Sequence, residues 1–153
     1  MAQYVLVPQQ SYQAPRAFQR HNSILFTAQG APGINLRYAC DGALELLDEQ
    51  EVQPTLSNTS ARITLRILWP GYPMWTFTNL AITDHTYVAT NLNMRQIAHN
   101  VARCIQRFFQ DMAGVGGEQP QWITDIIDFD RLYLTELIHV SQGSWQPILY
   151  YLL

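Results

Sequence analysis

The sequence predicts an α+β domain: an antiparallel sheet of about five strands, with one main helix over about residues 93–112 packed on one face. Three observations predict it. Ile63, Leu65 and Ile67 alternate with Arg62, Thr64 and Arg66, which is the period of a half-buried strand. Trp75 and Phe77 alternate with Thr76 and Thr78, and Pro70-Gly71-Tyr72-Pro73 supplies turn residues between the two runs. Ile97, Val101, Ile105 and Phe108 recur at helical spacing behind Asn93, and Gln96 completes a capping-box pattern.

The other elements follow in chain order. Residues 1–23 form a Gln/Pro/aromatic N-terminal arm without helical or strand periodicity, and residues 24–153 form the single α+β domain. Ser23 to Phe26 is a short apolar run broken by Gly30-Ala31-Pro32-Gly33. Ile34, Leu36 and Tyr38 alternate with polar or small residues, so a strand is expected there. Asp41 is expected to cap a brief helix over residues 43–49. Residues 50–60 read as a polar loop. Leu80 and Ile82 continue the second strand one step out of phase, which points to a bulge near Asn79. Tyr87 to Ala89 is a candidate short strand. Gly114, Gly116 and Gly117 end the main helix, and a helical turn is expected around Trp122 to Ile127. Leu132 to Val140 and Trp145 to Leu152 flank Ser141-Gln142-Gly143-Ser144, a hairpin with a four-residue turn. Pro147 cannot donate to a ladder and calls for an edge or a bulge.

Composition narrows the function classes. The 153 residues are one domain's worth, and 48% hydrophobic content is that of a globular chain. Only 14% of residues are charged, against about 25% in a typical domain. All nine basic residues are arginine, and fifteen glutamines fill much of the polar share. A net charge of −3 argues against a nucleic-acid binder or a polybasic membrane protein. No apolar run approaches the length of a membrane span, and the first ten residues lack a signal-peptide pattern, so a cytoplasmic location is expected. Cys40 and Cys104 do not make a disulfide scaffold.

No catalytic, metal or cofactor motif stands out. Gly114-Val115-Gly116-Gly117 ends a helix rather than opening one, which is wrong for phosphate binding. Cys40 with one of His21, His85, His99 and His139, or the cluster Asp125, Asp128 and Asp130, supplies groups that nucleophilic or acid–base chemistry would use. Without ligand or base spacing, these read as packed thiols and solvated loop charges. Trp69 and Tyr72 flank a Pro-Gly turn and are hard to bury together, so they are the expected contact surface. Arg62 and Arg66 share the polar face of the strand beside them. Arginine suits stacked or bidentate contacts better than lysine does.

Three blocks carry a family resemblance. They are Ile34 to Tyr38 behind a Pro-Gly element; Pro54 to Ile67 with Trp75-Thr76-Phe77 and the helix from Asn93; and Asp128-Phe129-Asp130-Arg131-Leu132 with Leu137 and Trp145-Gln146-Pro147-Ile148-Leu149. Their pattern resembles an uncharacterised domain family abundant in mushroom-forming (basidiomycete) fungi. The resemblance implies an α+β fold and a fungal source, and brings no activity, cofactor or site residue with it.

The expected function is therefore a non-enzymatic binding or self-assembly protein, with itself or another protein as partner. An arm reaching a neighbouring subunit would make it a homo-oligomer. The first alternative is a small-molecule or glycan-binding domain that uses exposed aromatics. The second is an enzyme using Cys40, His85 or the Asp cluster.

Overall fold

The computed structural model describes residues 2–54, 56, 62–84 and 90–153. In chain order the elements are β1 (Tyr4–Leu6), β2 (Ile24–Leu25), β3 (Thr27–Ala28), β4 (Ala31–Pro32), β5 (Ile34–Asn35), α1 (Leu36–Cys40), β6 (Arg62–Ile67), β7 (Trp75–Ala81), β8 (Thr83–Asp84), β9 (Thr90–Asn91), α2 (Met94–Asp111), β10 (Leu132–Ser141) and β11 (Ser144–Leu152). Three 3-10 turns, Pro120–Trp122, Thr124–Ile126 and Phe129–Arg131, lie between α2 and β10. The strand expected over Tyr87 to Ala89 and the candidate His85 lie outside the described residues.

The class is α+β, but the main sheet has seven strands rather than about five. Its spine runs β2-β10-β11-β6-β7, with β1 added to β11 and β5 to β10. β1 and β2 are pairings of two or three residues, too short to show an alternation in sequence, whereas β5 is the start of the strand expected from Ile34. One neighbouring pair, β11 with β6, is parallel, whereas a wholly antiparallel sheet was expected. The hairpin is tighter than expected: Ser141 pairs with Ser144 across a two-residue Gln142-Gly143 turn, and their hydroxyls bond each other.

The strand expected from Ile34 to Tyr38 stops at Asn35. Asn35 caps α1 with its side-chain oxygen, which accepts from Tyr38 N at 3.2 Å. Leu36, Ala39 and Cys40 then form the buried face of the helix. The brief helix expected over residues 43–49 does not form. Asp41 ends α1 instead of starting a helix, and Gly42 follows at φ +74°. Helix α2 starts and stops close to expectation. Asn93 and Gln96 exchange both bonds of a capping box, at 2.9 Å each. Ile97, Val101, Ile105 and Phe108 are buried along its inner face. The register of β6 against β7 shifts between Ile63 and Leu65, where the sequence predicts a bulge.

A second register shift decides which side chains reach the surface. Leu134 pairs with Leu149 and Glu136 with Ile148, so Thr135 is an extra residue in β10. Leu132 and Leu134 are core residues before this bulge, and Leu137 and His139 are core residues after it. The added residue steps the alternation by one and leaves Tyr133, Thr135 and Glu136 together on the other face.

The N-terminal arm lies on this chain's own sheet. Its β1 pairs antiparallel with β11, Tyr4 opposite Leu152. The Gln9 side chain takes the place of a ladder rung where the β11–β6 pairing ends. Its Oε1 accepts from Leu68 N at 3.0 Å, and its Nε2 donates to Pro147 O at 2.7 Å. Pro147 thus sits inside the sheet, at the point where the ladder to β6 has stopped. Buried Gln146 accepts from Tyr12 N and donates to Gln10 O. The Arg66 guanidinium lies 4.1 Å from the Tyr12 ring centroid.

The arm ends on His139, which is 1% exposed. His139 Nδ1 accepts from His21 N at 3.0 Å, so its proton sits on Nε2, 3.3 Å from the Gln142 carbonyl. Its ring stacks on Trp145 with centroids 4.6 Å apart. Burial pushes the imidazole below its ordinary value of 6.5, nearby His21 and Arg20 add to this, and the Gln142 bond opposes it. The fold thus holds the neutral form. Its stabilisation is complete above pH 6.5 and is lost as pH falls below that value. Urea unfolding from about pH 7.5 to about pH 5 should therefore show falling stability in the wild type. His139→Gln should flatten that slope; an unchanged slope would place the titrating group elsewhere.

Candidate functional site

The bulge in β10 opens onto a groove of about 610 Å³. Tyr4 of β1, Leu25 of β2, Pro32 of β4, Tyr133 and Glu136 of β10, and Tyr150 of β11 line it. Two pairings build the floor: Tyr133 faces Tyr150, and Glu136 faces Leu25. The Tyr4 and Tyr133 rings stand at 89° with centroids 5.2 Å apart, making two walls of a corner. Tyr4 is 49% exposed and Leu25 64%, so the groove presents apolar surface to solvent. Desolvation, then the adjoining Tyr133 phenol, holds the Tyr4 hydroxyl above its ordinary range, so its ring stays neutral at physiological pH. Among the described residues, no hydrogen bond or ion pair engages the Glu136 carboxylate.

The β3–β4 hairpin forms another wall, and Asp48 fixes it. The Asp48 carboxylate accepts from Gly30 N at 2.9 Å, Thr27 Oγ1 at 2.9 Å and Gln29 N at 3.1 Å. The Gly30 bond, followed by that of Thr27, lowers its pKa. This half-buried carboxylate thus does structural duty in a turn where Gln29 and Gly30 both have positive φ.

The residues singled out in sequence lie elsewhere. Trp69 is 1% exposed and offers no face to solvent. Its Nε1 donates to Trp122 O at 2.6 Å, and its ring packs against Phe108, Phe109 and Trp122. The Pro-Gly turn does not expose it, because the segment after α2 folds back over the turn. Tyr72 is half-buried in the same contact. Its hydroxyl donates to Val115 O at 2.8 Å and accepts from Thr124 N at 3.1 Å. A Cβ on Gly117 would stand 2.5 Å from the Tyr72 ring, so only glycine fits there. Arg62 is exposed, and its Nη1 donates to Asn79 O at 3.2 Å. Arg66 is half-covered by Tyr12.

The groups considered for catalysis are dispersed. Burial pushes the Cys40 and Cys104 thiols up to about 11, so both stay protonated at neutral pH and are poor nucleophiles. Asp125 accepts from Gly114 N, Asp128 caps a 3-10 turn through Asp130 N, and Asp130 pairs with Arg37 Nε at 2.7 Å. Three neighbouring carboxylates thus serve three separate structural contacts. Among the described residues, no cluster of three or more His, Cys, Asp or Glu side chains could hold a metal, and no helix is long and apolar enough to cross a membrane.

Residues 14–151 match the family described as "Domain of unknown function (DUF6741)". The chain belongs to this family. No curated protein and no solved structure matches it. Within the family match lie five of the six groove residues named above, while Tyr4 lies before its first matched residue.

Sequence reasoning overlooked Tyr4, Leu25, Pro32, Tyr133 and Glu136 as site residues. The signal for Glu136 is present: the apolar positions Leu132 and Leu134 are followed by Leu137, one step out of phase. Tyr4 and Leu25 carry no such signal, because their neighbours across the sheet are distant in sequence.

Trp69 is thus a structural residue, and its loss should show in stability. Trp69→Phe leaves the Trp122 carbonyl unpaired and removes ring volume, so urea unfolding should report a loss of about 2–4 kcal/mol. A change near zero would contradict its place in the core.

Proposed function

We propose that this domain is a non-enzymatic binding module whose ligand lies in the groove of Tyr4, Leu25, Pro32, Tyr133, Glu136 and Tyr150. One observation carries the reading: the groove gathers exposed apolar side chains and a carboxylate that, among the described residues, no other group engages. The fold gains little from displaying Leu25 and Tyr4 to water, and concave apolar surface with a polar group at its centre is the general form of a small-ligand site. Tyrosine suits such a role, since a rigid ring offers a large contact area at small entropic cost. The reading keeps the binding class expected from sequence and moves its location from Trp69 and Tyr72 to the other end of the sheet.

Amide chemical shifts of isotope-labelled protein, recorded against a library of small fragments, test the reading. Bound fragments should perturb the amides around Leu25, Tyr133, Glu136 and Tyr150. Perturbations confined to the turn at Tyr72, or to α2, would contradict it, as would a library with no binder at all.

A further inference from the structure

We infer that the ligand of this groove is a small organic cation, an ammonium group carrying methyl substituents. The inference rests on the groove being a binding site and adds the charge and chemical class of its occupant. Three features of the groove lining support it. The Tyr4 and Tyr133 rings meet at 89°, so a compact cation in the corner meets negative ring surface on two sides. Tyr150, opposite Tyr133 in the β10–β11 pairing, lines the same space. Glu136 supplies a full negative charge with no partner among the described residues.

The same features select against other classes. The chain has nine arginines, yet none lines the groove, so an anion would meet Glu136 with no compensating charge. A neutral apolar ligand would bury a carboxylate without a partner, which is costly. A bare ammonium is strongly hydrated and gains little from Leu25 and Pro32. Methyl groups on the nitrogen spread the charge and match those apolar side chains, while the charge still answers Glu136.

Isothermal calorimetry with choline, beside its neutral isostere 3,3-dimethylbutan-1-ol, is the test. Choline should bind at least about tenfold more tightly than the isostere. Glu136→Gln should weaken choline about tenfold and leave the isostere unchanged, and Tyr133→Leu should weaken choline by a similar factor. Raising ionic strength on the unaltered protein should also weaken choline, and this arm needs no variant to fold. Equal affinity for choline and its isostere would overturn the cation while leaving the groove as a site. Fragment binding in the groove with no choline binding would do the same. If neither fragments nor choline bind, the groove reading falls with it. Co-sedimentation with phosphatidylcholine vesicles tells a lipid headgroup from a free solute as the source of the group: vesicle pelleting assigns it to the lipid, and choline binding without pelleting to the solute.

Discussion

The β10–β11 hairpin is the constraint on which the rest of the structure depends. Every other strand of the main sheet except β7 hydrogen-bonds directly to it: β2 and β5 to β10, β1 and β6 to β11. Its register therefore fixes where both chain ends and the helical layer lie. Leucines 132, 134, 137 and 149 are fully buried along it, so a one-residue slip would expose several of them at once. The bulge at Thr135 satisfies two demands in one strand. It keeps leucines in the core on both sides of the irregularity, and it brings Glu136 onto the same face as Tyr133. A bulge beside a concave surface is a common way for a sheet to re-aim a side chain.

The unusual composition has a physical counterpart in the fold. A glutamine side chain donates and accepts, so it can replace a peptide group in a ladder. Gln9 does this between Leu68 and Pro147, and Gln146 does it for the arm at Gln10 and Tyr12. These contacts tie an otherwise irregular segment to the sheet without charges. Four of the arginines, Arg20, Arg37, Arg66 and Arg107, lie over aromatic rings. The planar guanidinium stacks where an ammonium would remain hydrated. Low charge, abundant amide and arginine without lysine thus describe a chain that ties down its surface segments by amide pairing and stacking. The arm serves its own domain in this arrangement, and it also contributes Tyr4 to the groove.

What was legible in the sequence was local. Helix α2 is long and strongly periodic, and its cap is written in Asn93 and Gln96, so its ends agree with expectation. The β6–β7 pair is legible for the same reason, including its bulge. The failures share a cause. Trp69 was expected at the surface because its neighbours in sequence are Pro70 and Gly71. Its actual neighbours, Phe108 and Trp122, come from far along the chain. The segment after Ile34 alternates like a strand, but the Asn35 side chain turns it into α1 by capping Tyr38 N. Strands of two or three residues carry no period, so β1 and β2 were invisible, and β5 was legible only as the start of a longer expected strand. The groove draws half of its named lining, Tyr4, Leu25 and Pro32, from such pieces. Its location is a tertiary fact, and only the phase step between Leu134 and Leu137 announces it.

The measurement that bears most directly on this architecture is the set of cross-strand nuclear Overhauser contacts between β10 and β11. Contacts pairing Leu134 with Leu149 and Glu136 with Ile148, with Thr135 left over, are the expected result. They would place Glu136 beside Tyr133 on the outer face. An unbroken register, pairing Glu136 with Pro147, would contradict it: Glu136 would turn towards the core, Leu137 towards solvent, and the groove would lose its carboxylate.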